Sequence, residues 1–357
     1  MNILAIETSC DETAAAVVKN GHEVLSNVVA SQIDIHAKYG GVVPEVAARA
    51  HVQSIIPVVE EALRLFVIPT DPTLVASGGI PFSWKDIDAI AVTQGPGLVG
   101  SLIVGTETAR TLAILENKPL VAVNHLEGHI YANWVSKNPP QFPLVALLVS
   151  GGHTMLIEVE DHYKFKIIGQ TRDDAAGEAF DKIAALLSLP YPGGPNISKS
   201  AEKGDENKHK FPIVDLTPKP KRNSEGFLEY PEPSLDFSLS GLKTAVLNEV
   251  KKKKTLTNQE KANIAASFQK TLVGTLAQNS QRAIKKIKPK SFILSGGVAA
   301  NEELRKRLQK MCKELNVKFY MPDLAYCTDN AVMISAAAYY KQKEFGFTEP
   351  KCCTPNP

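Results

Sequence analysis

The sequence predicts an α/β chain of two related units with a cleft between lobes, and three observations carry that reading. Short apolar runs alternate with segments of helical periodicity along nearly the whole chain, as strands joined by helices do. An apolar strand followed by Ser-Gly-Gly occurs twice, as LLVSGGHT at 147–154 and FILSGGVAAN at 292–301, which suggests a duplicated architecture. A length of 357 residues exceeds one ordinary domain and suits two.

The elements follow in order. Residues 2–8 read as a buried strand and 14–18 as its hairpin partner across the polar turn 9–11. Val46, Ile55, Val59 and Leu63 recur at helical spacing, predicting a helix over 46–65. Pro69, Pro72, Gly78, Gly79 and Pro81 make 68–84 a loop or insertion. A strand at 87–93, a glycine turn (GPGLVGS), a helix at 102–115, a strand at 119–123 and a helix at 125–135 come next. The second half has strands at 144–149 and 154–158, then an alanine-rich helix at 175–187 ended by the breaker run 190–195. Residues 202–233 are polar and proline-containing, hence surface loop, and the block 203–210 is rich in lysine. Helices at 241–252 and 257–287, a strand at 291–295, a helix at 301–314, a strand at 317–321 and a closing helix at 329–341 complete the chain.

Composition excludes several classes. Hydrophobic residues at 44% and charged residues at 22% are globular values and argue against global disorder. The net charge of +2 neither demands nor excludes nucleic acid. Cys10, Cys312, Cys327, Cys352 and Cys353 are odd in number and contain no C-x-x-C pair, so a reducing compartment fits better than a disulfide framework. Glu7, Asp11 and Glu12 interrupt the N-terminus where a signal peptide needs an apolar stretch, and Gln94, Gly95, Pro96, Gly97 and Gly100 break the longest uncharged run. A soluble, cytoplasmic protein is expected.

The two Ser-Gly-Gly turns have chemistry available to them. Glycine lets a phosphate approach free backbone N–H groups, and Asn301 follows the second turn at a helix start, whose positive end favours an anion. His125 and His129, spaced i, i+4, face one side of a helix and can share a metal ion or simply form a surface pair. Leu126 stands where an H-E-x-x-H zinc protease needs its glutamate, with Glu127 one place later, so a peptidase is disfavoured. Asp329 begins the closing helix and is either a third ligand or an N-cap. In DDAAGEAFDK (173–182) the early acids suit a helix dipole, whereas Asp181 lies inside the helix and can accept from a ribose or polar substrate. Asp11 and Glu12 in the first turn are candidates for general base or for orienting a substrate amine, or are a solvated turn. Lysine runs at 251–254 and 285–290, with a third basic cluster at 219–222, are compatible with phosphate contacts or with solvated faces; no RNA-reading aromatic motif accompanies them.

Taken together, ETSCDETAAAVV, GGVVPEVAARAH, TQGPGLVGSLIVG, NHLEGHIYA, LLVSGGHT, DDAAGEAFDKIA, YPGGP, DFSLSGLKTAV, LSGGVAANEELR and CTDNAVMIS resemble, in order and over nearly the whole chain, the bacterial tRNA N6-adenosine threonylcarbamoyltransferase family, TsaD. The resemblance implies duplicated ribonuclease-H-like lobes of the actin, sugar kinase and heat-shock ATPase type. It implies metal ligands at His125, His129 and Asp329, and a donor loop at Leu148, Val149, Ser150, Gly151 and Gly152. Further donor contacts fall on Asp181, Gly194 and Asn301, with Ser198 at an additional position.

The implied reaction moves threonylcarbamoyl from L-threonylcarbamoyl-adenylate to the exocyclic amine of the adenosine after the anticodon, releasing AMP. The implied cofactor is one divalent metal, iron by family usage, although the ligand set also suits zinc. Implied partners are tRNA, a TsaB-like paralogue docking on the N-terminal lobe, and a TsaE-like P-loop ATPase. Expected boundaries are an N-terminal lobe at 1–118 and 325–345, a C-terminal lobe at 119–324 carrying metal and nucleotide motifs, and a tail at 346–357. One departure from the family stands out: 67–84 looks longer than the usual link. An O-carbamoyltransferase of related fold and a non-catalytic nucleotide-binding paralogue are the alternatives; known examples of the first carry extra domains, and the second has no need of the metal ligands.

Overall fold

The computed structural model describes residues 1–66, 83–224 and 227–357. In chain order the first elements are β1 (Asn2–Glu7), β2 (Glu12–Lys19), β3 (Glu23–Ser31), α1 (Ile33–Ala37), α2 (Pro44–Leu65), β4 (Ala89–Gly95), α3 (Val99–Leu115), β5 (Leu120–Asn124) and α4 (His125–Tyr131). They continue with β6 (Leu144–Val149), β7 (Thr154–Val159), β8 (Phe165–Gln170), α5 (Ala176–Leu186), α6 (Gly193–Ala201), β9 (Lys221–Arg222) and β10 (Leu228–Glu229). The last are α7 (Ser240–Val250), α8 (Asn258–Ile287), β11 (Ser291–Ser295), α9 (Glu302–Glu314), β12 (Lys318–Tyr320) and α10 (Ala331–Phe345). The long segment expected at 67–84 lies outside the described residues except for Ser83 and Trp84, which open a short 3₁₀ turn.

The chain divides into Met1–Pro139 with Pro322–Pro357, and Pro140–Met321. In the first unit β1, β2 and β3 form an antiparallel meander, and β4 and β5 add in parallel, giving the order β3-β2-β1-β4-β5. In the second unit β6, β7 and β8 repeat the meander, and β11 and β12 add in parallel beside β6, giving β12-β11-β6-β7-β8. The two orders are the same when read from the meander inward. This is the duplicated ribonuclease-H-like architecture of the actin type.

Burial follows from that layout. From Ile3 to Glu7, β1 is buried on both faces, as a central strand covered by helices must be. Ile55, Val59, Ala62 and Leu63 of α2 and Ala109 and Ala113 of α3 join Leu4, Ile6, Val17, Ile90 and Val92 in one core cluster. α10 also packs on this sheet, where Ser335 donates to the Ile3 carbonyl. Among the described residues no helix is long and apolar enough to cross a membrane.

Two expectations need correction. Residues 119–139 belong to the first unit, not the second, because β5 pairs with β4 and α4 packs against α10. The metal motif therefore sits wholly in the first unit. The segment 346–357 is no loose tail: Thr348 bridges to Leu120, the Asn356 N–H donates to the Gln94 carbonyl, and Cys353 is buried.

Phe292 on β11 is fully buried and stacks with Phe319 at 6.2 Å between ring centroids. Phe292→Ala should cost about 3–5 kcal/mol through lost burial and a residual cavity. Chemical denaturation followed by circular dichroism should show an earlier transition in that variant.

Candidate metal centre and nucleotide cradle

Local chemistry builds the metal site. β5 ends at Asn124, whose side-chain oxygen accepts from the N–H groups of Leu126 and Glu127 and so starts α4 at once. His125 and His129 then stand one turn apart, with ring centroids at 4.6 Å. α4 has only seven residues and holds its place by packing. Gly128 allows the close approach, since a Cβ there would come within 2.7 Å of Ile334 Cδ1 on α10. Tyr131 stacks on Tyr340 of the same helix, and Glu127 turns toward Lys341 at 3.6 Å.

Asp329 precedes α10, and its alternative use as an N-cap is already taken. Asn330 is the cap, its side-chain oxygen accepting from the Met333 N–H at 3.0 Å. Asp329 is thereby free to face the histidines. Its Oδ1 lies 3.2 Å from His129 Nε2 and 3.5 Å from His125 Nε2. One potential ligand atom from each of the three residues lies within 4.8 Å of the other two. The His129 side chain is 1% exposed, and neither ring nitrogen has an aligned hydrogen-bond partner. Two imidazole nitrogens directed at one carboxylate oxygen, with buried His129 unsatisfied, fit a shared divalent cation.

A supporting carboxylate escaped the sequence reading. Glu7, at the end of β1, is fully buried, and its Oε2 lies 3.1 Å from His125 Nδ1 and accepts from Thr93 Oγ1. Ser9 Oγ sits 3.1 Å from the same ring nitrogen. Glu7 places the His125 proton on Nδ1 and leaves the Nε2 lone pair for a metal, the usual second partner of a ligating histidine. The available signal was an acid closing an otherwise apolar strand.

Charges in this cluster shape one another. Burial alone would raise Glu7, but the His125 charge outweighs it and holds the carboxyl low. Burial works against His125 ionisation, yet Asp329 and Glu7 together lift it to about 9. Asp329, opposed by burial, is held down at about 2 by His125 and His129. Glu12, first in β2, is pushed up to about 9 by burial, then by the charges of Asp329 and Asp11. Glu12 also accepts from Ser31 Oγ at 3.2 Å, and Asp11 is 8% exposed.

The donor-loop residues lie in the second unit. β6 and β11 run parallel with Leu148 opposite Ser295, so both Ser-Gly-Gly turns leave the sheet at the same end. The first turn is closed by Ser150 N–H to the His153 carbonyl and His153 N–H to Ser150 Oγ. Gly151 and Gly152 are exposed and have open space where a Cβ would stand. At Gly177 a Cβ would come within 2.7 Å of the Ser150 carbonyl, which brings the start of α5 against the turn. Asp181 accepts from the Gly193 N–H at 2.7 Å and anchors the start of α6, and Gly194 beside it faces open space. Asn301 caps α9 through Leu304 N–H, and its amide reaches Ser198 Oγ at 3.1 Å. α6 was missed because PYPGGP reads as a breaker, although proline is tolerated at a helix start.

The sequence model of the family described as "TsaD: tRNA N6-adenosine threonylcarbamoyltransferase" matches residues 23–336. The chain belongs to the TsaD family. The tRNA N6-adenosine threonylcarbamoyltransferase of Caldicellulosiruptor saccharolyticus is 49% identical over 346 residues, covering 96% of this chain and 93% of that relative. The protein of the same name from Clostridium perfringens strain SM101 is 50% identical over 341 residues, covering 95% and 92%. Full-length HypF, solved in a phosphate- and nucleotide-bound form, matches with a TM-score of 0.61 at 14% identity. That match covers 97% of this chain and 47% of HypF, a likeness of fold. This TsaD-family chain is a transferase that modifies tRNA, and its His-His-Asp cluster is suited to a divalent metal.

His129→Ala should abolish stoichiometric zinc binding in equilibrium dialysis while leaving the circular dichroism spectrum unchanged. Glu7→Gln should weaken zinc binding by about 10–100-fold, because the His125 ring loses the carboxylate that orients it. Binding must also displace the proton that His125 carries below about pH 9. Zinc affinity in a chelator competition should therefore rise with pH, by up to about tenfold per unit, and level off as that value is reached.

Proposed function

We propose that this chain transfers the threonylcarbamoyl group of L-threonylcarbamoyl-adenylate to the N6 amine of the adenosine that follows the anticodon, in tRNAs reading codons that begin with adenine. The observation that carries this reading is the pair of imidazoles sharing Asp329 Oδ1 in a chain of the TsaD family. His125, His129 and Asp329 would hold the metal, iron by family usage, with zinc also suited to two histidines and a carboxylate. When bound, such a cation is a Lewis acid that stabilises negative charge on carbonyl or phosphate oxygens.

The chain's own groups do the rest. Leu148, Val149, Ser150, Gly151 and Gly152 receive the donor phosphate, with the open glycines allowing close approach of backbone N–H groups. Asp181, Gly194 and Asn301, with Ser198 beside them, line the nucleoside site. In the transfer, a bond forms between N6 and the carbamoyl carbon, and the bond from that carbon to the phosphate oxygen breaks. AMP departs with the electron pair, and N6 gives up one proton. Asp11 and Glu12, in the first turn, are the candidates to accept the proton from N6.

The support for partners is of two kinds. Val52 and Ile56 on α2, and Val99 and Ile103 on α3, are exposed apolar pairs at i, i+4. α2 and α3 meet where Gly100 approaches Ala48, and their outer faces suit a TsaB-like paralogue. A TsaE-like P-loop ATPase is assigned by family resemblance alone. For tRNA, the lysine run after α7 is partly neutralised: Lys252 pairs with Glu249 and Lys253 with Glu260. Lys251 and Lys254 have no acidic partner among the described residues and are assigned to phosphate contact.

Incubation of the chain and its partners with threonylcarbamoyl-adenylate and tRNA should yield N6-threonylcarbamoyladenosine by nucleoside mass spectrometry. A complete mixture that yields none, while a parallel mixture supplied with carbamoyl-adenylate consumes it, would favour the O-carbamoyltransferase reading. Lys251→Glu with Lys254→Glu should weaken tRNA binding more at low salt than at high salt, and lower the salt slope by about one per lost contact.

A further inference from the structure

We propose that Gln269, on α8, presents the side-chain N–H groups that grip the bound nucleotide, and that Asn301 is a positioning residue which orients it. The proposal rests on the reading that the second unit binds the adenylate, and it assigns a contact to a residue outside the donor set given above.

Hydrogen-bond accounting leads there. Asn301 caps α9, and its Oδ1 accepts from the Leu304 N–H at 2.9 Å. A backbone N–H can only donate, so the atom facing it is the oxygen, and the orientation of the Asn301 amide is fixed. The opposite edge of that amide is therefore Nδ2, with two hydrogens. It lies 2.9 Å from Gln269 Oε1 and 3.1 Å from Ser198 Oγ. Both donors of Asn301 are spent on protein acceptors, leaving no side-chain N–H for a ligand.

The same logic fixes Gln269. The atom that receives Asn301 Nδ2 must be an acceptor, hence Oε1, since a flipped glutamine would set two NH₂ groups against each other. Ser198 Oγ also donates to this oxygen at 2.9 Å, and lies 3.1 Å from the Gly194 carbonyl. Gln269 Oε1 is thus held by Asn301, with the single Ser198 hydroxyl proton within reach of both this oxygen and the Gly194 carbonyl, and the Gln269 Nε2 must face away from Asn301. Among the described residues nothing accepts from Nε2, and the residue is half-buried. Two oriented N–H donors are left without a protein acceptor.

The setting suits a ligand rather than loose solvent contact. α8 is anchored by Phe268, fully buried and edge-to-face with Phe180 at 5.5 Å, so the Gln269 backbone is held firmly. Ser198 Oγ lies 3.1 Å from the Gly194 carbonyl, so the network reaches the neighbourhood of Gly194, where the space in front of the backbone is open. Two N–H groups without a protein acceptor, on an amide linked by Ser198 to the neighbourhood of Gly194, call for acceptors, which a purine nucleotide offers as ribose hydroxyls and ring nitrogens.

Calorimetric titration of the full chain with AMP and with adenosine tests this. Gln269→Glu keeps an oxygen for Asn301 and Ser198 but removes both N–H groups; Gly194→Val fills the adjoining space and reports on the subsite itself. Gln269→Glu should leave the melting temperature of the free protein unchanged and weaken both ligands by about tenfold, the scale of losing one or two hydrogen bonds. Weakening of AMP alone would overturn the proposal, because charge repulsion would then explain the loss. Unchanged binding in Gln269→Glu, with binding lost in Gly194→Val, would overturn it while leaving the subsite in place. Full binding by both variants would remove the subsite and the proposal together.

Discussion

Much of the first unit is arranged around one carboxylate oxygen, Asp329 Oδ1, which two imidazole nitrogens face at 3.2 and 3.5 Å. Holding such a cluster in a protein interior requires that each ligand be oriented from behind. Glu7 does this for His125, and packing does it for His129, on a helix too short to hold itself. Asn330 takes the capping duty that would otherwise draw Asp329 away. Gly128 sets how closely α4 and α10 approach, and that spacing sets the distance between His129 and Asp329.

This arrangement accounts for what was legible beforehand. The i, i+4 histidines report their shared face directly, because the helical period is a local property. Asp329 was ambiguous from its position alone, since aspartate before a helix most often caps it. The neighbouring asparagine resolves the ambiguity, but only once the cap geometry is seen. Glu7 was silent for a different reason. Its function depends on β1 lying beside β4 and on β5 delivering His125 nearby, so that Glu7 meets a residue 118 positions away.

The fold was readable where strands are buried on both faces, as at β1, β6 and β11, because an unbroken apolar run marks them. β3 and β8 went unread: each is the outer strand of its meander and half-exposed, so the apolar signal is diluted. The unit boundary was misplaced at 118 because sequence order gives no hint that β5 pairs with β4. In the second unit the glycine turns were legible as motifs. Which amide donors remain available there depends on hydrogen bonds among Ser198, Gln269 and Asn301, residues from three separate helical segments.

X-ray absorption at the zinc edge of the zinc-loaded chain addresses the central cluster most directly. The account predicts one zinc per chain with a first shell of two imidazole nitrogens and carboxylate oxygen at about 2.0–2.2 Å, completed by solvent. A shell of oxygen or sulfur alone, without the multiple-scattering signature of imidazole, would contradict it.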